Sequence, residues 1–212
     1  MKTFAIVPVK RFENGKTRLS SLLSLDERIV LSSYMLEYTL QVLCSSPSLK
    51  RVVVVSVDRY AEEITSKYGA RFLREQNQSG VNSAIALADK YCTQENAEAT
   101  IVIPYDLPLL DTIDISMAID LAQYETRCIV ISPSLRYDGT NLLLRKPPSV
   151  MRTFYDIDSY KMHVKTAISL DLPVKYLLSR GIMHDLDTPE DTMRLANEVK
   201  ASKILDFIRS KH

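Results

Sequence analysis

Phe4-Ala5-Ile6-Val7-Pro8-Val9, followed at once by Lys10-Arg11-Phe12-Glu13-Asn14-Gly15-Lys16-Thr17-Arg18-Leu19-Ser20, is the passage that decides the fold. Its first half is short, unbroken and apolar, the pattern of a strand buried on both faces of a sheet. Its second half is a charged loop with one glycine. Three more runs of the first kind follow, at Arg51 to Val57, Thr100 to Pro104 and Arg127 to Ser132. Segments of helical period lie between them. Asp26 to Cys44 sets Ile29, Val30, Tyr34, Leu36, Leu40 and Leu43 along one side, and Ser24-Leu25-Asp26-Glu27 has the form of a capping box at its start. Tyr60 to Tyr68 and Val81 to Tyr91 read as further helices. Thr188-Pro189-Glu190-Asp191 opens a last one with an N-cap, a proline at the first helical position and early acidic residues. Strands alternating with helices predict an α/β fold, a mostly parallel sheet with helices on both faces. Ser134 to Ser159 breaks the rhythm with Asp138-Gly139, the strand-like Thr140 to Leu144 and Pro147-Pro148, which predicts an antiparallel excursion. With no linker, repeat or low-complexity tract, residues 1–212 read as a single domain.

Composition narrows the function classes. The 212 residues carry 27 Lys plus Arg against 26 Asp plus Glu, a net charge of +1, with 46% hydrophobic and 25% charged residues. That balance is the ordinary one of a globular protein and argues against a nucleic-acid partner, because phosphate backbones select for a clear basic excess. No apolar run approaches the roughly 20 residues that cross a bilayer, so no membrane partner is expected. The N-terminus lacks the long apolar segment of a secretory signal, and a cytoplasmic location is expected. The three cysteines, Cys44, Cys92 and Cys128, stand far apart and in no metal-ligand spacing. Cys44 and Cys128 sit in apolar surroundings and read as small buried hydrophobes.

Ligands of open parallel sheets bind beyond the carboxyl ends of the strands, and three loops there carry charge. The loop after the first strand places Lys10, Lys16 and Arg18 where a polyphosphate could lie, with Gly15 permitting a turn. Its glycine spacing is not that of a Walker A motif, and a solvated basic loop fits the same residues. As a surface-loop residue, Lys16 is expected to be replaceable by alanine without loss of fold. Asp106, in Ile103-Pro104-Tyr105-Asp106-Leu107-Pro108, suits either a Mg²⁺ ligand or a turn cap. In His184-Asp185-Leu186-Asp187-Thr188-Pro189 two carboxylates at i and i+2 point the same way, toward one cation or toward the dipole of the last helix.

Together these pieces resemble the 2-phospho-L-lactate and phosphoenolpyruvate guanylyltransferases of deazaflavin coenzyme F-420 biosynthesis. The resemblance runs nearly end to end. It rests on Pro8-Val9-Lys10, Lys16-Thr17-Arg18-Leu19-Ser20, Gly80-Val81-Asn82, Asp106-Leu107-Pro108-Leu109, Gly139-Thr140-Asn141, Ser159-Tyr160 with His163, and Asp187-Thr188-Pro189. It implies a Rossmann-like mononucleotide-transferase fold, Mg²⁺ as cofactor, and GTP and a small phosphorylated acid as substrates. Asp106, Asp185 and Asp187 would match the metal ligands, and Lys16, Arg18 and Asp106 the catalytic set. Lys10, Gly80, Asn82, Thr140, Asn141 and Ser159 would bind substrate, with Thr140 and Ser159 on the acceptor and Gly80 to Asn82 near the guanine. A homodimer is compatible with this reading. One departure stands out: the family pattern has glycine three residues before the serine, where this chain has Asp156. An Asp156 that faced the acceptor would repel it unless Mg²⁺ or a basic neighbour such as Arg136 or Arg145 offset its charge, so the expectation is that Asp156 points away and that its backbone alone borders the acceptor.

The expected reaction is transfer of a guanylyl group from GTP to the acceptor's phosphate, with release of pyrophosphate. A phosphate monoester is already ionised near neutral pH, so no side-chain base is required. Two alternatives stay open: a nucleotidyltransferase of the same fold acting on a sugar phosphate or molybdopterin, and a non-catalytic nucleotide-binding regulatory protein.

Overall fold

The first apolar run becomes the strand β1 (Thr3–Pro8), whose side chains alternate between two cores. Phe4 and Ile6 enter one cluster and Ala5 and Val7 the other, the two-residue period of a strand covered on both faces. A computed structural model describes residues 1–77 and 79–210. Around β1 the chain builds a 7-stranded sheet. β1 pairs in parallel with β2 (Arg51–Ser56) on one side and β4 (Ala99–Val102) on the other, and β2 pairs in parallel with β3 (Arg71–Arg74). Beyond β4 comes the excursion anticipated from the break in rhythm. There β6 (Thr140–Lys146) runs antiparallel to β4 and to β5 (Cys128–Pro133), and β5 pairs in parallel with the edge strand β7 (Val174–Tyr176). The spatial order is β3-β2-β1-β4-β6-β5-β7.

Helices cover both faces. One face holds α1 (Leu25–Ser45), α2 (Arg59–Lys67), α4 (Thr112–Ala122) and the C-terminal α8 (Ser202–Arg209). The other holds α3 (Val81–Gln94) and α5 (Ser159–Ser169). The capping box ahead of α1 is present: Glu27 N–H donates to Ser24 Oγ, and Glu27 Oε2 accepts from Ser24 N–H at 2.9 Å. Two short helices, α6 (Arg180–Met183) and α7 (Pro189–Arg194), bracket the second acidic segment. Cys92 and Cys128 are buried, but Cys44 is exposed on the outer side of α1, which corrects its reading as a buried hydrophobe. Among the described residues no helix is long and apolar enough to cross a membrane.

Candidate active site

The direction of β6 places the site. Because β6 is antiparallel to β4, with Val102 opposite Leu143, its first residues Thr140 and Asn141 reach the edge at which β1 and β4 end. Carboxyl ends of parallel strands and the start of an antiparallel one thus converge on a cavity of about 520 Å³. Lys10, Arg18, Asp106, Asp185 and Asp187 line one part of it, and Thr140, Asn141, Tyr155, Asp156 and Ser159 another.

Local chemistry fixes each wall. The loop after β1 is tied down by Asp58, the N-cap of α2, which accepts from Phe12 N–H at 2.8 Å as well as from Tyr60 and Ala61 of its own helix. Gly15 is required here by close approach, not by an unusual turn. A Cβ there would meet Phe12 O and Ser32 Oγ at 3.2 Å and Tyr105 Oη at 3.3 Å. The next residue, Lys16, takes the left-handed conformation at φ 52°, which turns its side chain inward. Beside that loop, Leu186 N–H donates to Asp106 O at 3.0 Å and Leu186 is fully buried, while Asp185 and Asp187 on either side of it line the cavity. Asp191 secures this segment as the third residue of α7. Its Oδ2 accepts from the backbone N–H groups of Asp187 and Thr188 at 3.1 and 2.8 Å and from Thr188 Oγ1 at 2.9 Å.

Lys16 is not the solvated loop residue that its charged neighbourhood predicts. Its side chain is 3% exposed, and Nζ donates to Asp106 Oδ2 at 2.8 Å and to Asp187 Oδ1 at 2.7 Å. Burial works against its charge, but the two carboxylates outweigh that cost and hold its pKa above the ordinary lysine value. Burial pushes Asp106 up, whereas Asp187 is held down by Lys16. Asp185 has no lysine; burial, with the charges of Asp106 and Asp187, pushes its pKa up to about 6. Its nearest cation is Arg136, whose Nη2 lies 3.8 Å away and which also faces Asp138 and Asp191. Two carboxylates share the one buried ammonium, and the third, Asp185, has only Arg136 at 3.8 Å. Hard oxygen donors of this kind fit Mg²⁺, which keeps several waters and takes one or two carboxylates together with substrate phosphates. Among the described residues no group of three or more His, Cys, Asp or Glu side chains is placed so as to hold a metal ion, so Asp106, Asp185 and Asp187 do not form a complete ligand set by themselves.

On the far wall, Thr140 and Ser159 are both nearly buried, and their hydroxyl oxygens lie 3.2 Å apart. Asn141 is oriented by donating from Nδ2 to Ile182 O at 2.9 Å. Gly80 adopts φ 94° at the N-terminus of α3 and lines a smaller recess of about 280 Å³, shared with Pro8, Lys10, Glu75 and Val81. Asn82 does not line the main cavity. Its Oδ1 accepts from Tyr155 N–H at 2.9 Å and its Nδ2 donates to Asp156 Oδ2 at 3.0 Å, so it clamps the loop by which Tyr155 and Asp156 line the cavity. Asp156 lines the cavity with that carboxylate turned onto Asn82. Arg145 is unavailable to balance it. Wholly buried in β6, Arg145 forms a two-pronged ion pair with Asp89 of α3 at 2.6 and 2.8 Å. Sequence reasoning assigned no role to Tyr155, which lines the cavity.

The comparisons with known proteins agree with this geometry. The family model described as "Guanylyl transferase CofC like" matches residues 3–211. A phosphoenolpyruvate guanylyltransferase of Rubrobacter xylanophilus is 34% identical over 92% of this chain and 94% of its own length. A 2-phospho-L-lactate guanylyltransferase of Methanothermobacter thermautotrophicus is 31% identical over 99% and 91%. The solved structure of a protein described as a nucleotide-diphospho-sugar transferase, from Desulfovibrio desulfuricans, superposes with a TM-score of 0.78 at 17% identity, covering 99% of this chain and 95% of that one, a likeness of fold. A sheet interrupted by one antiparallel strand, a lysine held between two acidic loops, and a family match from the first strand into the last helix belong together: the chain is a member of the CofC-like guanylyl transferase family.

Proposed function

We propose that this protein transfers the guanylyl group of GTP to the phosphate of a small phosphorylated carboxylic acid. The observation that carries the proposal is one cavity that brings together an acidic wall, Asp106, Asp185 and Asp187, with Lys16 buried behind Asp106 and Asp187, and a hydroxyl wall, Thr140 and Ser159. A phosphate oxygen of the acceptor attacks the α-phosphorus of GTP in line. The bond from that phosphorus to the bridging oxygen of the β-phosphate breaks, and pyrophosphate leaves with the electron pair. The nucleophile is already ionised at neutral pH, so the chain needs no general base.

The work of the side chains is orientation and charge balance. Lys10 and Arg18 stand at the cavity edge to meet the triphosphate, and Thr140 and Ser159 hold the anionic acceptor. Asp106, Asp185 and Asp187 would hold Mg²⁺, which when bound offsets the charge that develops on the phosphates. Lys16 holds Asp187 ionised and fixes it and Asp106 on either side of one ammonium. The recess beside Gly80 suits the base, with Pro8 and Val81 as apolar walls. The relatives' names differ in the acceptor, phosphoenolpyruvate in one and 2-phospho-L-lactate in another, so the acceptor class follows here and its identity awaits assay. Three free cysteines support a cytoplasmic setting. Pyrophosphate release measured with GTP, Mg²⁺ and a panel of acceptors tests the proposal. Turnover with a phosphorylated acid supports it, and turnover confined to sugar phosphates, or none at all, refutes it.

A further inference from the structure

Behind the hydroxyl wall stands a buried ring to which the mechanism above gives no role. His163 lies one turn after Ser159 on α5 and is completely buried. Its Nε2 is 2.8 Å from the backbone nitrogen of Phe154. A backbone N–H can only donate, so Nε2 carries the lone pair and the ring hydrogen belongs on Nδ1. Nδ1 is 3.0 Å from Thr140 Oγ1 and therefore donates to it. Burial, with the positive charge of Arg145, holds the His163 pKa down to about 3, so the ring is neutral and one tautomer only satisfies both neighbours. The edge of Tyr155, 4.9 Å away between ring centres, keeps the imidazole from turning over.

The tautomer sets the direction of the hydroxyls. Thr140 and Ser159 have two hydroxyl hydrogens between them, and the 3.2 Å contact between their oxygens uses one. Since Thr140 Oγ1 already accepts from His163, the second hydrogen has no partner among the described side chains and is left for the cavity. With the opposite tautomer, Thr140 would donate back to the ring and Ser159 to Thr140, and the wall would offer no hydrogen to a ligand. We infer that His163 is a positioning residue: the Phe154 N–H selects its Nδ1–H form, and that form makes the Thr140–Ser159 pair a hydrogen-bond donor to the anionic group of the acceptor. The inference rests on the acceptor reading above for what the donor meets, but not for the tautomer itself.

Two measurements on the full chain test it. In protein labelled with ¹⁵N-histidine, long-range proton–nitrogen correlation is expected to show His163 protonated at Nδ1 alone; protonation at Nε2 overturns the inference. The second measurement compares His163→Asn, whose amide nitrogen falls near the Nδ1 position, with His163→Gln, whose amide falls near Nε2 instead. With phosphoenolpyruvate and 2-phospho-L-lactate as acceptors, His163→Gln should raise the acceptor KM roughly tenfold, the value of one hydrogen bond to an anion, and leave the GTP KM within about twofold. His163→Asn should recover most of the loss. A merely structural ring predicts instead that both variants raise both KM values together in proportion to lost thermal stability, and that result also overturns the inference. If the wild-type protein uses no phosphorylated acid of the acceptor panel, the guanylyl-transfer reading falls, while the tautomer spectrum still decides the role of His163.

Discussion

Replacing Lys16 by methionine keeps the buried stem and deletes one charge, which isolates what that charge does. In the wild-type protein the ammonium faces Asp106 at 2.8 Å and Asp187 at 2.7 Å, with the Lys16 side chain 3% exposed. Breaking a buried ion pair from one side costs about 3–5 kcal/mol, because the partner charge stays behind without compensation. The Asp187 side chain is 34% exposed, so water screens its share and the lower end, about 3 kcal/mol, applies. For a chain of this size each kcal/mol moves Tm by about 2–4 °C, giving a loss of about 6–12 °C in Lys16→Met. The sign with pH follows from the carboxylates. Without Lys16 the folded pKa of Asp187, held down in the wild-type protein, rises, and that of Asp106, already pushed up by burial, rises further; the folded state binds more protons, and the variant loses stability as pH increases. The gap to wild type should therefore widen between pH 5 and pH 8 in thermal melts run with a chelator. Mg²⁺ should also raise the variant's Tm more than that of the wild type, since it meets a larger excess of negative charge. A gap below about 2 °C, or one independent of pH, would refute the argument, and the expectation of a replaceable loop lysine would return.

Three other outcomes follow from the same geometry. Asp106→Asn leaves Lys16 paired with Asp187, so melts should stay close to wild type while Mg²⁺-dependent pyrophosphate release falls about a hundredfold or more; unchanged turnover at limiting Mg²⁺ removes Asp106 from the site. Asp185 has a folded pKa of about 6 against an ordinary 3.8, so in chelator the native state holds the extra proton and stability declines as pH rises from about 4 to about 6. Asp185→Asn should flatten that decline in a Tm-against-pH series, and a slope identical to wild type would count against it. Asn82→Ala frees Tyr155 N–H and Asp156 at once and should raise the acceptor KM more than the GTP KM. The opposite split would restore the expectation that Asn82 serves the guanine.

The parts of the fold legible in the sequence are those fixed by neighbours in the chain. β1, β2, β4 and β5 announce themselves as unbroken Val/Ile-rich runs, the start of α1 as a capping box, and that of α7 as an N-cap followed by proline and early acidic residues. β3 and β7 do not: Arg71-Phe72-Leu73-Arg74 and Val174-Lys175-Tyr176 are short edge pieces whose polar residues interrupt any apolar run. That β6 is antiparallel was readable only as a break in rhythm, yet its direction is what brings Thr140 to the edge where β1 and β4 end. The same limit holds in the site. Asp185 and Asp187 share a face through spacing alone, but the ion pairs of Lys16 join residues separated by 90 and 171 positions. No local pattern distinguishes such a lysine from a solvated one, because its burial depends on the left-handed turn at Lys16 and on what the far loops place above it. His163 is hidden for the same reason, since its two partners, Phe154 and Thr140, come from a loop and a strand outside α5.

The distribution of charge around the cavity follows from what the two substrates have in common, which is negative charge. A cationic wall on both sides would hold them tightly but would also draw electron density from the attacking phosphate oxygen. The cations near the acceptor are already engaged: Arg145 with Asp89, and Arg136 among Asp138, Asp185 and Asp191. What remains on that wall are hydroxyls, whose hydrogen bonds orient an anion without neutralising it. On the proposed assignment the positive charge of Lys10 and Arg18, both lining the cavity, faces the donor, where pyrophosphate would leave and charge accumulate as the bond breaks. Lys16 belongs to neither wall. Buried between Asp106 and Asp187, it holds Asp187 ionised and offsets part of the cost of burying Asp106. On this account a positive charge introduced at the hydroxyl wall, as in Ser159→Lys, should tighten acceptor binding and slow turnover together, a pairing that a purely steric role for Ser159 does not produce. Weaker binding with slower turnover would point to sterics instead.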